Sequence, residues 1–153
     1  MSAPAKSQTH PPRRILVVED KTDIRQLYSE VLIRSGYRVD TAEDGEAGWK
    51  VLYAARHDPD SYDLLITDNN MAKLSGVELI KKLRSARMTL PVILASGSAP
   101  MNTEWLQLAA LLPKPFSPDQ LVQTVNEVLH PANRDREQDI LVPQAMIAPG
   151  RRG

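Results

Sequence analysis

Five side chains of this 153-residue sequence could act together on a phosphorus centre. Glu19 and Asp20 follow the apolar run Arg14-Ile15-Leu16-Val17-Val18, and Asp68 follows Leu64-Leu65-Ile66-Thr67. Ser96 follows Pro91-Val92-Ile93-Leu94-Ala95, and Lys114 stands one proline beyond Leu111-Leu112. Three carboxylates brought close repel one another, and desolvation raises the cost. Such a cluster needs a cation. Oxygen ligands without His or Cys suit a hard ion, Mg²⁺ above all, which keeps several waters and takes one or two carboxylates. Lys114 adds a second positive charge on a flexible stem. An aspartate beside both can attack phosphorus in line and form an acyl phosphate, while the metal and the ammonium neutralise charge on the transferring group. The Ser96 hydroxyl can then donate to a phosphoryl oxygen and so sense the group.

These residues meet only if the runs before them are neighbouring parallel strands. The sequence supports this, because nearly continuous apolar runs mark strands buried on both faces. Between them lie helical stripes. Ile24, Leu27, Tyr28, Val31 and Leu32 recur at helical spacing and end at Ser35-Gly36, where Gly36 suits a left-handed C-cap. Tyr37 to Ala42 is a second strand, and Asp44 to Arg56 a second helix with Ala47, Val51, Leu52 and Ala55 on one face. Val77, Ile80 and Leu83 mark a third helix, and a short fourth is expected around Thr103 to Ala109 before a brief fifth strand. The last helix opens with Ser117-Pro118-Asp119-Gln120, a capping box with Pro at its first position. Strands alternating with helices predict an α/β fold, a doubly wound five-stranded parallel sheet with five helices. In such sheets functional groups gather outside the carboxyl ends of the strands.

Composition narrows the classes. Lys plus Arg is 19 and Asp plus Glu is 19, so net charge is zero. That argues against a nucleic-acid binder and against a polybasic membrane-surface protein. With no Cys, thiolate metal sites, disulfides and Cys nucleophiles are excluded. His10, His57 and His130 form no metal-ligand spacing. No apolar stretch approaches the ~18 residues of a membrane helix, and the first residues lack a signal peptide's apolar core, so a cytoplasmic location is expected. Residues 1–12 are expected to be a disordered leader, 13–130 the folded domain, and 131–153 a mostly disordered Pro- and Arg-containing tail whose Ile140-Leu141-Val142 could dock on something. Met71 is expected to anchor its loop in the core, and Trp49 and Trp105 to pack or lie partly exposed on helices, rather than do chemistry.

The sequence resembles receiver domains of two-component response regulators. The resemblance rests on ILVVED (15–20), DLLITDNNMAKLSGVEL (63–79), PVILASG (91–97) and LPKPF (112–116), in order and each at an expected strand end. It implies a flavodoxin-like sheet of order 2-1-3-4-5, with Asp68 as phosphoacceptor. It further implies Mg²⁺ held by Glu19, Asp20, Asp68 and the backbone carbonyl of Asn70, Ser96 as switch hydroxyl, Lys114 as phosphoryl partner, and a cis bond before Pro115. Three departures stand out. Ala72 replaces a usual proline after Met71, and Leu111 occupies the place of the family's aromatic switch residue. The stretch from Ser96 to Lys114 is about four residues shorter than usual, close to the dozen or so a crossover needs. The last two departures fall on the family's usual output and dimer face.

The resemblance implies a response regulator phosphorylated by a histidine kinase or a histidine phosphotransfer protein, and a stand-alone one is expected because residues 131–153 are too few for a DNA-binding output domain. It would signal through protein contacts, with a homodimer possible and no nucleic-acid or membrane partner. Slow self-catalysed phosphotransfer and dephosphorylation would be its only catalysis. A pseudo-receiver binding module that acts without phosphorylation is the alternative. A phosphatase is disfavoured, since no second acid stands two residues beyond Asp68 to serve as general acid or base.

Overall fold

The computed structural model describes residues 11–98 and 103–131. The expected leader falls outside this range except for Pro11 and Pro12, and the expected tail except for Pro131. The elements in chain order are β1 (Arg14–Val18), α1 (Thr22–Arg34), β2 (Arg38–Ala42), α2 (Gly45–Ala54), β3 (Leu64–Asp68), α3 (Gly76–Ser85), β4 (Val92–Ser96), β5 (Ala110–Pro113) and α4 (Pro118–Leu129). The five strands are all parallel, in the order β2-β1-β3-β4-β5. This is the expected doubly wound, flavodoxin-like sheet.

Alternation along the strands divides the core into two layers, since successive side chains point to opposite faces. Leu16, Val18, Leu65 and Leu94 join Leu52 of α2 and Leu79, Ile80 and Leu83 of α3 on one face. Ile15, Val17, Leu64, Ile66, Ile93 and Leu112 join Leu32 of α1 and Leu121, Val125 and Leu129 of α4 on the other. The central strands are therefore apolar on both sides, which is why their sequence reads as continuous runs.

The starts of α2, α3 and α4 are held by side chains. The Asp44 carboxylate accepts from the Ala47 amide at 2.8 Å to open α2. Capping boxes start α3 at Ser75 with Glu78, and α4 at Ser117 with Gln120. The first box was not read from the sequence, although Ser75-Gly76-Val77-Glu78 carries its spacing.

The fourth helix differs from expectation. Among the described residues its place is held by a single 3₁₀ turn, Glu104–Leu106. Gln107 then turns to a left-handed backbone (φ 55°), and the Ala109 amide already bonds the Val92 carbonyl at 2.8 Å. The chain enters β5 before a second helical turn could form, and one turn alone cannot propagate a helix. Leu111 points outward and is 40% exposed, whereas Leu112 is buried at 7%. Among the described residues no helix is long and apolar enough to cross a membrane.

Candidate functional site

The carboxyl edge of the sheet brings the expected residues together. Glu19 and Asp20 follow the end of β1, Asp68 ends β3, Ser96 ends β4, and Lys114 follows β5. The backbone fixes their relative heights. Asp68 is in register with Ala95, Ser96 with Pro113, and the Lys114 amide donates to the Ser96 carbonyl at 2.9 Å. Two more strand-end contacts hold the acidic side. The Glu19 amide donates to the Ala42 carbonyl at 3.1 Å, and Arg25 of α1 donates to the Glu19 carbonyl at 2.7 Å. Arg25 was not singled out in the sequence, because it contributes to the site through a backbone oxygen.

Glu19, Asp20 and Asp68 each offer a carboxylate oxygen, and these oxygens lie within 4.8 Å of one another. Glu19 is 1% and Asp68 5% exposed. Lys114 Nζ pairs with Asp68 Oδ1. Glu19 Oε2 accepts from the Lys21 amide at 3.1 Å, but Glu19 Oε1 and Asp20 Oδ1 are buried with no hydrogen-bond partner among the described residues. Unsatisfied buried oxygens are costly, and charged ones more so. A hard divalent cation relieves both the orphaned atoms and the repulsion, so the donor set fits Mg²⁺. The burden shows in Glu19, whose pKa is raised chiefly by burial and also by the Asp68 charge, against lowering by the Lys21 amide and Lys114. Tyr28 of α1 feels the same pocket. Burial, with the Glu19 and Asp68 charges beyond it, pushes its hydroxyl up to about 12. Its ring stacks on Phe116, with centroids 5.6 Å apart, and so braces the chain just past Lys114.

Two expected residues stand less directly on the pocket. The Ser96 hydroxyl donates to the Ser98 carbonyl at 2.5 Å and accepts from the Ser98 amide at 3.3 Å, so it is engaged in its own turn. Asn70 is exposed, and among the described residues no group donates to its carbonyl. The expected cis peptide is present at Lys114–Pro115.

The loop after Asp68 is tied to α3. The Asn69 amide donates to the Ala95 carbonyl at 3.1 Å, and its own carbonyl accepts from Gly76 at 3.0 Å. Its side-chain oxygen accepts from the Val77 amide at 3.0 Å. Lys73, in a left-handed conformation (φ 69°), reaches Asp44 at 3.7 Å across the loop. Ala72 in the place of a proline thus leaves the loop anchored at both ends.

A family model for the response regulator receiver domain matches residues 15–126. The transcriptional regulatory protein CpxR of Escherichia coli K12 is 35% identical over 129 residues, covering 82% of this chain and 53% of CpxR. The cell cycle transcriptional regulator CtrA of Caulobacter vibrioides is 29% identical over 120 residues, 76% of this chain and 50% of CtrA. The chain thus spans about half the length of these relatives. Among solved structures, response regulator TrrA of Thermotoga maritima, in complex with Mg²⁺ and BeF, is 32% identical with a TM-score of 0.66. The match covers 76% of this chain and 98% of that one. Chemotaxis protein CheY4 of Vibrio cholerae is 28% identical with a TM-score of 0.66 over the same shares.

Proposed function

The chain belongs to the response regulator receiver family of two-component systems, a family of signalling domains rather than enzymes, and on that premise we propose that Asp68 accepts a phosphoryl group in a Mg²⁺-dependent reaction. The donor is a histidine kinase or a histidine phosphotransfer protein. The observation that carries this reading is the buried Asp68 carboxylate, paired with Lys114 and set beside two carboxylate oxygens that have no hydrogen-bond partner among the described residues.

Glu19, Asp20, Asp68 and the Asn70 carbonyl would hold Mg²⁺, which supplies charge neutralisation for the transferring group when bound. The chain's own groups do the rest. An Asp68 oxygen attacks phosphorus in line, a P–O or P–N bond to the donor breaks, and the donor leaves with that electron pair. The product is an acyl phosphate on Asp68. Lys114 Nζ exchanges its carboxylate contact for a phosphoryl oxygen. The Ser96 hydroxyl leaves the Ser98 carbonyl and donates to a second phosphoryl oxygen. That exchange moves the loop after β4 and carries the signal, since a ligand shifts an equilibrium only through differential affinity for its states. The same groups allow slow self-catalysed dephosphorylation.

The receiver unit is proposed to span residues 13–130 and to act in the cytoplasm. Zero net charge supports protein contacts, including a homodimer, over nucleic acid as the output of this domain. The test is intact mass in acid after incubation with Mg²⁺ and acetyl phosphate. One added phosphoryl group is expected, absent in Asp68→Asn and absent with chelator. No adduct on the unaltered chain would instead favour a binding module that acts without phosphorylation.

A further inference from the structure

Among the described residues the β4–β5 connection holds a single 3₁₀ turn, Glu104–Leu106, yet both strands deliver a site residue to one edge of the sheet. A single guanidinium takes over the anchoring. Arg84, near the end of α3, donates from Nε to the Leu106 carbonyl at 2.7 Å and from Nη2 to the Gln107 carbonyl at 3.1 Å. Its Nη1 donates to the Met88 carbonyl at 2.8 Å and the Leu90 carbonyl at 2.9 Å. The first two oxygens lie in the loop that enters β5, the second two in the loop that enters β4. Among the described residues no carboxylate pairs with Arg84, so this half-buried cation is satisfied by carbonyls alone. Its burial is costly, and the fork geometry of arginine is what lets one group hold two loops.

From this geometry we infer that Arg84 is a positioning residue for Ser96 and Lys114, fixing where β4 and β5 begin and hence where both side chains stand relative to Asp68. The inference rests on the phosphoacceptor reading of the site. The strands are five and four residues long, so Arg84 works from about 13–17 Å away along them. Strand length cannot adjust, because the register from Ile93 with Ala110 to Ser96 with Pro113 is continuous. A slip at the start of β5 is a slip at Lys114. The circuit also closes through α3, whose first amides bind Asn69 beside Asp68. One rigid helix therefore references both the acceptor and the two groups that meet it.

The test is a double-mutant cycle of Arg84→Met with Lys114→Ala, read as the rate of acetyl phosphate labelling by intact mass. Mg²⁺ affinity of each variant is measured separately. With Lys114 present, Arg84→Met is expected to slow labelling about 10- to 100-fold, the size of effect a small remote misplacement produces. Mg²⁺ affinity should change less than about twofold, since Glu19 and Asp20 do not hang from either loop. In the Lys114→Ala background most of the Arg84→Met effect should vanish. An equal loss in both backgrounds, no loss, or a parallel loss of Mg²⁺ affinity would overturn the inference. Should Arg84→Met not fold, Arg84→Lys keeps the charge but not the fork, and the same pattern at smaller size is expected. Amide exchange separates this inference from the reading beneath it. The Ala109 and Lys114 amides, bonded to Val92 and Ser96, should exchange at least about tenfold faster in the Arg84 variant. If the unaltered chain takes no label, the phosphoacceptor reading fails while the exchange rates still decide the role of Arg84. Unchanged exchange there overturns it.

Discussion

Gly76 lies so close to Asp68 that a Cβ at position 76 would fall on the Asp68 carbonyl oxygen. The first residue of α3 and the last of β3 are thus packed backbone to backbone. Gly76→Ala must push the helix from the strand that carries the acceptor. It should destabilise the protein by roughly 1–3 kcal/mol in urea unfolding, the usual range for overpacking. Gly97→Ala is the control. Among the described residues nothing lies within 4 Å of a Cβ there, so its change should stay within about 0.5 kcal/mol.

Metal binding should appear as stability. At a Mg²⁺ concentration 100 times the dissociation constant, unfolding free energy should rise by about 2.7 kcal/mol, and chelator should remove the gain. Glu19→Gln is expected to abolish this response. Without metal the same variant should be more stable than the parent near neutral pH. The sign follows from Glu19's raised pKa: its contribution is present below the ordinary carboxylate range and lost as pH rises through the folded value. Urea titrations with and without Mg²⁺ test both halves.

Lys114→Ala should slow labelling of Asp68 by about 100-fold, the scale for removing one preorganised charge donor at a reacting group. Mass spectrometry over a time course gives the rate. A loss below about threefold would remove Lys114 from the reaction as described.

A second network predicts pH dependence far from the pocket. Tyr62 donates to Asp40 at 2.6 Å, and Arg14 donates to the same oxygen at 2.8 Å. The Tyr62 hydrogen bond, with Arg14 added and burial opposing, holds Asp40 below its ordinary pKa. Burial and Asp40 push Tyr62 up to about 12. The Asp40 contribution is therefore present above the unfolded carboxylate value and lost as pH falls through the folded one. The Tyr62 contribution is present below its unfolded value near 10 and lost as pH rises toward 12. Tyr62→Phe should cost roughly 0.5–1.5 kcal/mol near neutrality and flatten the alkaline limb. A pH series of urea midpoints measures it.

Adjacent leucines in β5 should answer oppositely to one change. Leu111→Gln, at an exposed position, is expected within about 0.5 kcal/mol of the parent. Leu112→Gln places an amide among Ile93, Leu121 and Val125 and should cost at least about 2 kcal/mol. Thermal or urea unfolding separates them.

The same pair shows how far such a fold is legible in a sequence. Strands buried on both faces advertise themselves as apolar runs, so β1, β3 and β4 and the acids and hydroxyl after them were readable. Leu111 and Leu112 give no hint of which faces inward, because two residues carry no period. The capping box at Ser117 was read because Pro118 and a clear stripe follow it, while the equivalent Ser75 sits in a loop full of other signals. Gly45 and Gly76 mark close approaches to Leu74 and Asp68 that only tertiary packing creates. The contacts of Arg84 with Leu106 and Gln107 join residues 22 and 23 positions apart. Backbone carbonyls leave no trace in side-chain pattern, so that role could not be read. Ser96 was recognised, but its engagement with Ser98 depends on hydroxyl rotation, which residue type does not set.

The two outermost strands carry a consequence for solution behaviour. A protein with no net charge at neutral pH lacks the mutual repulsion that keeps molecules apart. Open sheet edges would then invite strand addition between copies. Here β2 shows charged Arg38 and Asp40 along its rim, each locked into ion pairs, and β5 is four residues long and closes on a proline with no amide to offer. Both margins thus carry features that disfavour edge-to-edge strand addition independently of overall charge.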